Sequence, residues 1–375
     1  MNILYLIVSL RYGGAERQFC ELVKGISKRN GIRPYVYYLE KSNAGYDKVL
    51  ESAGIQPVHL PRKTKFDFSL VYRLSWIIKA LDIDIVHSFM SMSGLIACLS
   101  ARLCNTPVVC SSIRDATVDT SFKTMISLRV QAVLSNILVA NSHAGLKSRF
   151  KSLKPKYRVV YNGIDRDRFH PDRHEIERMK KRFQLERFDK VVAMIASLSV
   201  HKDHNTFLES ARLVLERYPR TGVLLVGDGP NRARLEQKVV NLGIQRNTIF
   251  AGYTEHVIEI LSVTHVSVLM TNASIFAEGL SNSLLESMAM SVPVVASKGG
   301  GTDEVIDHGV NGYLLDPYDA FGLAEVIMKF LDDDSFGLQM GRSGRSIIKK
   351  RFGFAEFLQN YVNLYYEVLK TKGHG

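Results

Sequence analysis

The chain has 375 residues, which suggests two domains at roughly 100–200 residues per domain. Hydrophobic residues make up 46% and charged residues 23%, a globular composition that excludes disordered, collagen-like and coiled-coil classes. The net charge of +12 is uneven, because residues 1–158 hold 23 basic and 10 acidic side chains while the remainder holds 26 and 27. A basic half-molecule suits nucleic acid, an anionic membrane surface or a phosphorylated ligand.

The sequence shows no apolar run near the ~18–20 residues that cross a bilayer. The apolar start, residues 3–10, has no basic segment before it and runs into Arg11, so it predicts a buried strand rather than a secretion signal. The cysteines form no Cys-x-x-Cys pair and predict reduced, buried thiols of a cytosolic protein: Cys20, Cys98, Cys104 and Cys110.

Short β-branched runs alternate with longer amphipathic segments, which is typical of a parallel sheet with crossover helices. In the first half the predicted strands are 3–8, 35–39, 85–88, 108–111, 137–140 and 158–161. The helices predicted between them are 15–27, 69–81, 94–103, 122–134 and 144–150.

A second series of elements starts afresh after a polar segment, Asn162 to Arg182, that contains Pro171 and predicts a linker leading into a basic helix. Its predicted strands are 191–196, 222–226, 248–250, 266–270, 292–296 and 313–315. Its predicted helices are 205–217, 232–242, 284–290 and 320–331.

The fold class predicted from this order is α/β, with two doubly wound domains in tandem, residues 1–165 and 166–353, that face a cleft. Ligands are expected at the C-terminal ends of the strands. Aromatic side chains at helical spacing between Phe354 and Leu369 predict a C-terminal helix, residues 354–370, that crosses back to the first domain.

Two adjacent glycines, Gly13 and Gly14, follow the first strand and open the first helix. Such a turn lets the backbone approach an anion, and the helix start offers N–H groups to it. The pattern is not the Gly-x-Gly-x-x-Gly of a dinucleotide site, and a turn kept for packing alone is the alternative.

Two glutamates eight residues apart, Glu278 and Glu286, lie in the loop after the strand 266–270 and one turn into the next helix. A nucleotide-sugar placed over this helix start would meet Glu278 at its hexose and Glu286 at its ribose, with the N–H groups of residues 280–283 facing the diphosphate. Ser283-Leu-Leu-Glu286 is also a possible capping box, and the two roles of Glu286 can coexist.

Residues 278–315 resemble the signature of the family-4 retaining glycosyltransferases, of the bacterial surface-polysaccharide type. The matching motifs are Glu-Gly-Leu-Ser-Asn-x-x-x-Glu from Glu278, Pro-Val-Val-Ala from Pro293, Gly-Gly-x-x-Glu from Gly300 and Asp-His-Gly-Val-Asn-Gly from Asp307. Further matches are Gly-Gly-Ala-Glu from Gly13, Asn-Gly-Ile-Asp from Asn162, Val-Gly-Asp-Gly-Pro from Val226 and Lys202 after a strand.

The resemblance implies the GT-B fold, with two Rossmann-like domains, and transfer of a hexose or N-acetylhexosamine from a nucleotide-diphosphate sugar, commonly a UDP-sugar. It also implies that Lys202 holds the donor diphosphate, Glu278 bonds the transferred sugar and Glu286 holds the ribose. Tyr253 is expected near the base. The other donor-binding residues implied are Gly13, Gly14, Ser197, Gly279, Leu280, Ser281 and Asn282.

This chain departs from the family at two places. Ser197 stands where family members commonly have an arginine five residues before the lysine, and Arg114 follows the strand after which many members carry a histidine. Arg114 is predicted to restore the missing positive charge, and the predicted catalytic residues are therefore Lys202, Glu278 and Arg114. The alternative is a catalytically silent GT-B protein that binds a nucleotide-sugar or a lipid-linked glycan within an assembly.

No metal and no cofactor are predicted. Breaking the sugar–phosphate bond leaves negative charge on the diphosphate, which Lys202 and helix amides can neutralise without a metal. The two Asp-rich segments, from Asp82 and Asp332, are predicted to be solvated turns rather than metal ligands. The retaining reaction of the family needs no covalent enzyme intermediate.

The acceptor is expected at the basic first domain, where Arg62, Lys63 and Lys65 mix with aromatic residues and Arg17 lies in the first helix. A second basic run covers residues 147–158. Anionic lipid attracts such segments by about 1 kcal/mol per cation. The prediction is a peripheral enzyme at the cytoplasmic face of the cell membrane that acts on a lipid-linked or growing glycan. A solvated loop is the alternative, and a nucleic-acid partner is not predicted because only net charge favours it.

Overall fold

The computed structural model describes residues 1–42, 45–63, 67–118, 121–165, 168–169 and 172–372. The chain divides into two compact units. Unit 1 contains residues 1–163 and, from the other end of the chain, residues from 355 onward. Unit 2 contains Ile164–Phe354.

Unit 1 is built on a parallel sheet in the order β3-β2-β1-β4-β5-β6-β7. Its strands are β1 (Asn2–Ser9), β2 (Arg33–Glu40), β3 (Pro57–His59), β4 (Ile85–Phe89), β5 (Val108–Ile113), β6 (Ile137–Ala140) and β7 (Tyr157–Val159). Its helices are α1 (Gly14–Ser27), α2 (Asp47–Glu51), α3 (Ser69–Ala80), α4 (Ser91–Leu103), α5 (Phe122–Leu134) and α6 (His143–Arg149).

Strand β1 is buried on both sides, because its alternating side chains enter two different cores. Leu4 and Leu6 belong to the core under α3, α4 and α5. Tyr5 points the other way, towards the C-terminal helix, where its hydroxyl lies 3.0 Å from that of Tyr365. The strand is therefore covered by helices on both faces, as the near-continuous apolar run predicted.

The C-terminal helix, α14 (Phe354–Lys372), packs on the sheet of unit 1, which confirms the predicted return. Its inner face carries buried hydroxyls that need partners. Tyr365 bonds His87 on β4 at 2.8 Å, and Tyr361 bonds Ser111 on β5 at 3.0 Å. His87 also contacts Ser111 at 2.8 Å, so one buried hydrogen-bonded network joins the helix to two strands.

Unit 2 repeats the architecture with a parallel sheet in the order β10-β9-β8-β11-β12-β13. Its strands are β8 (Lys190–Ile195), β9 (Thr221–Val226), β10 (Thr248–Gly252), β11 (Val266–Leu269), β12 (Val294–Ser297) and β13 (Tyr313–Leu315). Its helices are α7 (Arg173–Arg182), α8 (His204–Arg217), α9 (Arg232–Asn241), α10 (Val257–Ser262), α11 (Asn282–Ala289), α12 (Ala320–Asp332) and α13 (Asp334–Arg351). The predicted fold class, two doubly wound α/β domains in tandem, is confirmed.

Helix α13 was not predicted, because three glycines interrupt its sequence. One of them is required by packing: a Cβ on Gly341 would lie 1.8 Å from the carbonyl oxygen of Ser291, at the end of α11. A Cβ on Gly337 would meet nothing closer than 3.8 Å. Glycine at residue 341 lowers the helix propensity of α13, but it allows the helix to approach the turn after α11 closely.

We expect Gly341→Ala to lower the free energy of unfolding by about 1–3 kcal/mol, because the added methyl group overlaps backbone. Gly337→Ala in the same helix is the matched control, and helix propensity should raise its stability by up to about 1 kcal/mol. Urea unfolding followed by circular dichroism measures both. Equal midpoints for the two variants would contradict the close approach.

Candidate functional site

Lys202 is held at the C-terminal edge of the second sheet by backbone pairing. It lies in the loop after β8 and forms an isolated antiparallel bridge with Thr271, just after β11. The N–H of Asp203 donates to the carbonyl of Met270 at 3.0 Å. Strands β8 and β11 are neighbours, and the strand order reverses between them, so Lys202 sits at the switch point where doubly wound sheets bind ligands.

Lys202 and Glu278 form a largely buried ion pair, with Nζ bonded to Oε1 and side-chain exposures of 14% and 9%. Thr271 donates its hydroxyl to the same carboxylate oxygen at 3.1 Å. The Phe276 ring centroid lies 5.7 Å from Nζ. The structure thus brings two predicted catalytic residues together, and Thr271 is a partner that the sequence did not reveal.

The main chain of Glu278 is fixed by the Gly300-Gly301 motif. Gly301 donates its N–H to the Glu278 carbonyl at 2.8 Å. Gly300 has a φ of +65°, and a Cβ there would lie 2.2 Å from that same carbonyl oxygen. Glycine is therefore needed at residue 300 for both its left-handed backbone and the close approach.

Helix α11 begins just beyond Glu278, with Ser281 as its N-cap residue. The first turn of a helix directs backbone N–H groups out of its end, which makes residues 280–283 suited to an anion. Gly279, Leu280 and the buried carboxylate of Glu286 lie along the same stretch. The capping-box interpretation is wrong, because Ser283 lies inside the helix and is not its N-cap residue.

Ser197 is exposed in the loop after β8, with its hydroxyl 3.1 Å from that of Ser199. A turn at residues 227–229 packs against this loop so closely that a Cβ on Gly229 would meet the Leu198 carbonyl at 2.5 Å. Tyr253 follows β10, two strands from β8, and is half exposed. At about 4.8 Å between strands, it lies roughly 10 Å along the sheet from the Lys202 loop.

In unit 1, Gly13 is the N-cap residue of α1, and Gly14 is the first residue of that helix. A Cβ on Gly13 would lie 2.3 Å from a carboxylate oxygen of Glu16, which folds back over the helix start. Burial raises the pKa of Glu16 despite Arg11 at 3.4 Å. Arg17 is half-buried in the same turn. The carboxylate of Glu16 thus lies against Gly13, a contact that the motif alone did not reveal.

Arg114 follows β5 at the C-terminal edge of the first sheet. Its guanidinium lies over the Phe89 ring at 4.3 Å, and Nη2 lies 3.5 Å from the Tyr361 hydroxyl. Burial, with a smaller effect of the Arg114 charge, holds the pKa of His87 well below its ordinary value. Arg114 therefore carries the positive charge next to a neutral histidine, and the sequence did not single out His87.

Of the predicted acceptor residues, Arg62 is ion-paired with Glu40 and lies 2.8 Å from the sulfur of Met92. Lys63 is exposed. Lys65 lies outside the described residues. Glu40 thus compensates part of the charge of Arg62. An acceptor or membrane contact at unit 1 would therefore depend more on other cations of that unit.

No helix in the described part of the chain combines the length and the apolarity that crossing a membrane requires. Over the same residues, no group of three His, Cys, Asp or Glu side chains is arranged to hold a metal ion. Asp332 ends α12 and Asp333 caps α13, accepting from the N–H of Ser335 at 2.9 Å. The second Asp-rich segment therefore has a role in capping a helix.

His201 and His204 flank Lys202, and the sequence predicts that both face solvent. His201 is exposed and lies 4.9 Å from the Phe276 ring, measured between centroids. His204 is buried at the first turn of α8, which corrects the expectation, and burial lowers its pKa to about 4. It is buried because it lies at the start of an amphipathic helix that packs on the sheet.

The lowered pKa of His204 predicts acid sensitivity. Between the ordinary value near 6.5 and about 4, the unfolded chain binds a proton that the folded protein does not, so stability present above pH 6.5 is lost as pH falls. The loss should reach about 3 kcal/mol. Urea unfolding at pH 7 and pH 4.5 measures it, and His204→Gln should show a smaller loss. If the wild type and His204→Gln lose the same free energy of unfolding between the two pH values, His204 is not the cause of the acid sensitivity.

Two doubly wound domains, with a lysine–glutamate pair at the switch point of the second, define the chain as a GT-B type glycosyltransferase. Residues 12–168 match the family model described as Glycosyltransferase Family 4, and residues 175–347 match the model described as Glycosyl transferases group 1. The protein belongs to this family of glycosyltransferases.

Two relatives illustrate the range of the family. The N-acetyl-alpha-D-glucosaminyl L-malate synthase of Bacillus anthracis is 27% identical over 320 residues, 83% of this chain and 81% of the relative. The UDP-Gal:alpha-D-GlcNAc-diphosphoundecaprenol alpha-1,3-galactosyltransferase of Escherichia coli is 21% identical over 318 residues, 82% of this chain and 81% of the relative.

Solved structures share the fold. HepE of Anabaena in complex with UDP-glucose superposes with a TM-score of 0.88 at 20% identity, over 98% of this chain and all (100%) of the other. Sucrose-phosphate synthase of Thermosynechococcus elongatus superposes with a TM-score of 0.82 at 18% identity, over 99% of this chain and 100% of the other.

Proposed function

We propose that this protein is a retaining glycosyltransferase that moves a hexose or N-acetylhexosamine from a UDP-sugar to a lipid-linked or growing glycan in surface polysaccharide synthesis. The observation that carries the proposal is the buried Lys202–Glu278 pair at the switch point of the second sheet. The proposed enzyme uses no metal and no cofactor, and nucleic acid is not among its proposed partners.

In this proposal the charge that develops in the reaction determines the roles. The departing diphosphate gains negative charge, and Lys202 with the first turn of α11 stabilises it. Glu278 accepts hydrogen bonds from hydroxyls of the transferred sugar. The carboxylate of Glu286 binds the ribose, and Tyr253 lies against the base. Fixed donors of this kind need no reorganisation during the reaction.

Retention follows if the acceptor hydroxyl attacks from the face that the diphosphate leaves. The bond between the anomeric carbon and the diphosphate oxygen breaks, and a new bond forms between the anomeric carbon and the acceptor oxygen. The acceptor proton passes to the leaving phosphate oxygen. In unit 1, Gly13 and Gly14 supply a backbone turn for phosphate or sugar, and Arg114 supplies a fixed cation. Arg114 replaces the charge that Ser197 lacks.

The donor and acceptor in this proposal rest on relatives. HepE was solved with UDP-glucose, and the Escherichia coli relative is named for UDP-Gal and a diphosphoundecaprenol-linked acceptor. The Bacillus anthracis relative is named for L-malate, a small molecule without a lipid. A lipid-linked acceptor is preferred here because the excess positive charge lies in residues 1–158, and the enzyme would then act at the cytoplasmic face of the membrane.

Removing either member of the buried pair should abolish most transfer. We expect Lys202→Ala and Glu278→Gln each to lower the transfer rate about 100- to 1,000-fold, because a fixed charge is lost where charge develops. Lys298→Ala is the matched control, since Lys298 pairs with Asp316 at 2.8 Å on the surface of the same unit, and its rate should stay near that of the wild type.

The melting temperature of each variant must be measured alongside, because loss of Lys202 leaves a buried carboxylate unpaired. A folded Lys202→Ala protein with full activity would contradict the proposal that Lys202 binds the diphosphate. A wild-type protein that binds donors but neither transfers nor hydrolyses them would favour the alternative, a silent GT-B protein within an assembly.

The donor can be identified by mass action. We expect UDP-sugars to raise the melting temperature more than GDP- or ADP-sugars at equal concentration, since only a bound ligand stabilises the folded state. A scanning fluorimetry series measures this. A larger shift with a GDP-sugar would overturn the uridine assignment while leaving the site intact, and Glu286→Gln should reduce whichever shift is observed.

A further inference from the structure

Helices α3, α4 and α5 form one layer over the first sheet, and together they contain no aspartate or glutamate. Leu74 on α3, Ala101 on α4 and Leu128 on α5 share the core beneath them. The cations of this layer are Arg73, Lys79, Arg102, Lys123 and Arg129. The layer is therefore cationic along its whole width.

The outward side of this layer exposes large apolar side chains among these cations. The exposed side chains of Phe68, the N-cap residue of α3, and of Tyr72 and Trp76 on that helix follow at intervals of four residues. They lie opposite the buried Leu70, Leu74 and Ile78. On α5 the exposed side chains Phe122, Ile126 and Val133 lie opposite the buried Leu128 and Ala132. We call these six exposed residues, with Met92 and Leu103 on α4, the acid-free face.

Helix α4 continues the acid-free face between the other two. It contacts both α3 and α5, and it exposes Met92 near its start and Leu103 at its end. With 13 residues, it spans roughly 20 Å. Exposed apolar side chains scattered singly are ordinary, but eight of them on or next to three helices that contact one another favour an interaction surface.

We propose that the acid-free face is a docking surface for an anionic lipid bilayer. The complementarity is of charge and of polarity. The absence of acids on three neighbouring helices removes repulsion from anionic headgroups, and Tyr and Trp favour the interface between headgroups and acyl chains. Long lysine and arginine side chains at the edge can reach phosphate groups while their stems cover apolar surface. Asp67, just before α3, is paired with Arg73 at 2.9 Å, so these two charges compensate each other and the other cations carry the positive charge of the layer.

This surface differs from the basic loop that the sequence favoured. Arg62 is paired with Glu40, so the loop at residues 61–63 contributes less free charge than its composition suggests. Its guanidinium instead contacts Met92, at the edge of the acid-free face. The inference deepens the proposed function, on whose lipid-linked acceptor it rests, by naming the lipid-facing surface.

The test uses Trp76, the single tryptophan of the chain, which is 71% exposed. With vesicles of equal phosphatidylglycerol and phosphatidylcholine at low salt, we expect the intact protein to co-sediment and its tryptophan emission to shift to shorter wavelength. Vesicles of phosphatidylcholine alone should bind at least about tenfold less protein. Lipids brominated on their acyl chains should quench the emission of bound protein.

Variants then locate the contact. Tyr72→Ser with Phe122→Ser should lower vesicle partitioning about tenfold or more, because two exposed rings lose apolar burial. Phe321→Ser is the matched control, since Phe321 is equally exposed, at 73% against 74% for Phe122, but belongs to unit 2. Its partitioning should equal that of the wild type.

Each other result overturns the inference. Co-sedimentation without a change in Trp76 emission would place the lipid contact elsewhere on the protein. A protein that does not co-sediment with the anionic vesicles would show that the acid-free face does not bind a bilayer. A dimer in solution that Tyr72→Ser with Phe122→Ser converts to a monomer would make the face an interface between copies. Donor-induced thermal stabilisation requires no vesicles, so its presence or absence tests the proposed function separately.

Discussion

The candidate site of unit 2 depends on the ion pair between Lys202 and Glu278. Its two members come from loops that follow adjacent strands, and the backbone pairing at residues 202 and 271 brings those loops together. Both side chains are largely out of water, and leaving either charge unpaired there is costly, at about 3–5 kcal/mol. The fold therefore fixes a cation and an acid at the same edge before any ligand contributes binding energy.

Close backbone approach is the second constraint on the site. Gly300 lies against the Glu278 carbonyl and Gly229 against the Leu198 carbonyl, at distances that a Cβ could not share. In unit 1, Gly13 lies under the carboxylate of Glu16, a side-chain neighbour that restricts the position less strictly than backbone does. Residues 300 and 229 are therefore glycines because backbone neighbours leave no room for a Cβ there.

The hydrophobic pattern of the sequence was sufficient to predict the two doubly wound sheets, because buried parallel strands consist of nearly continuous apolar residues. It was insufficient where tertiary contact overrides local preference. Helix α13 carries three glycines, of which Gly341 is explained by a close approach. His204 was expected to face solvent, whereas the amphipathic helix α8 buries it. The partners of Lys202 and Glu278, such as Thr271, depend on loop pairing that no local pattern encodes.

The return of α14 to unit 1 has a consequence for synthesis on the ribosome. All of unit 2 is translated before α14, whereas unit 1 requires residues from both ends of the described chain. Until the helix emerges, Tyr5, His87 and Ser111 lack the hydroxyls of Tyr361 and Tyr365 that they contact in the finished protein. The unit translated first is therefore completed last, and its nascent form exposes a polar, aromatic surface for most of the time that translation takes.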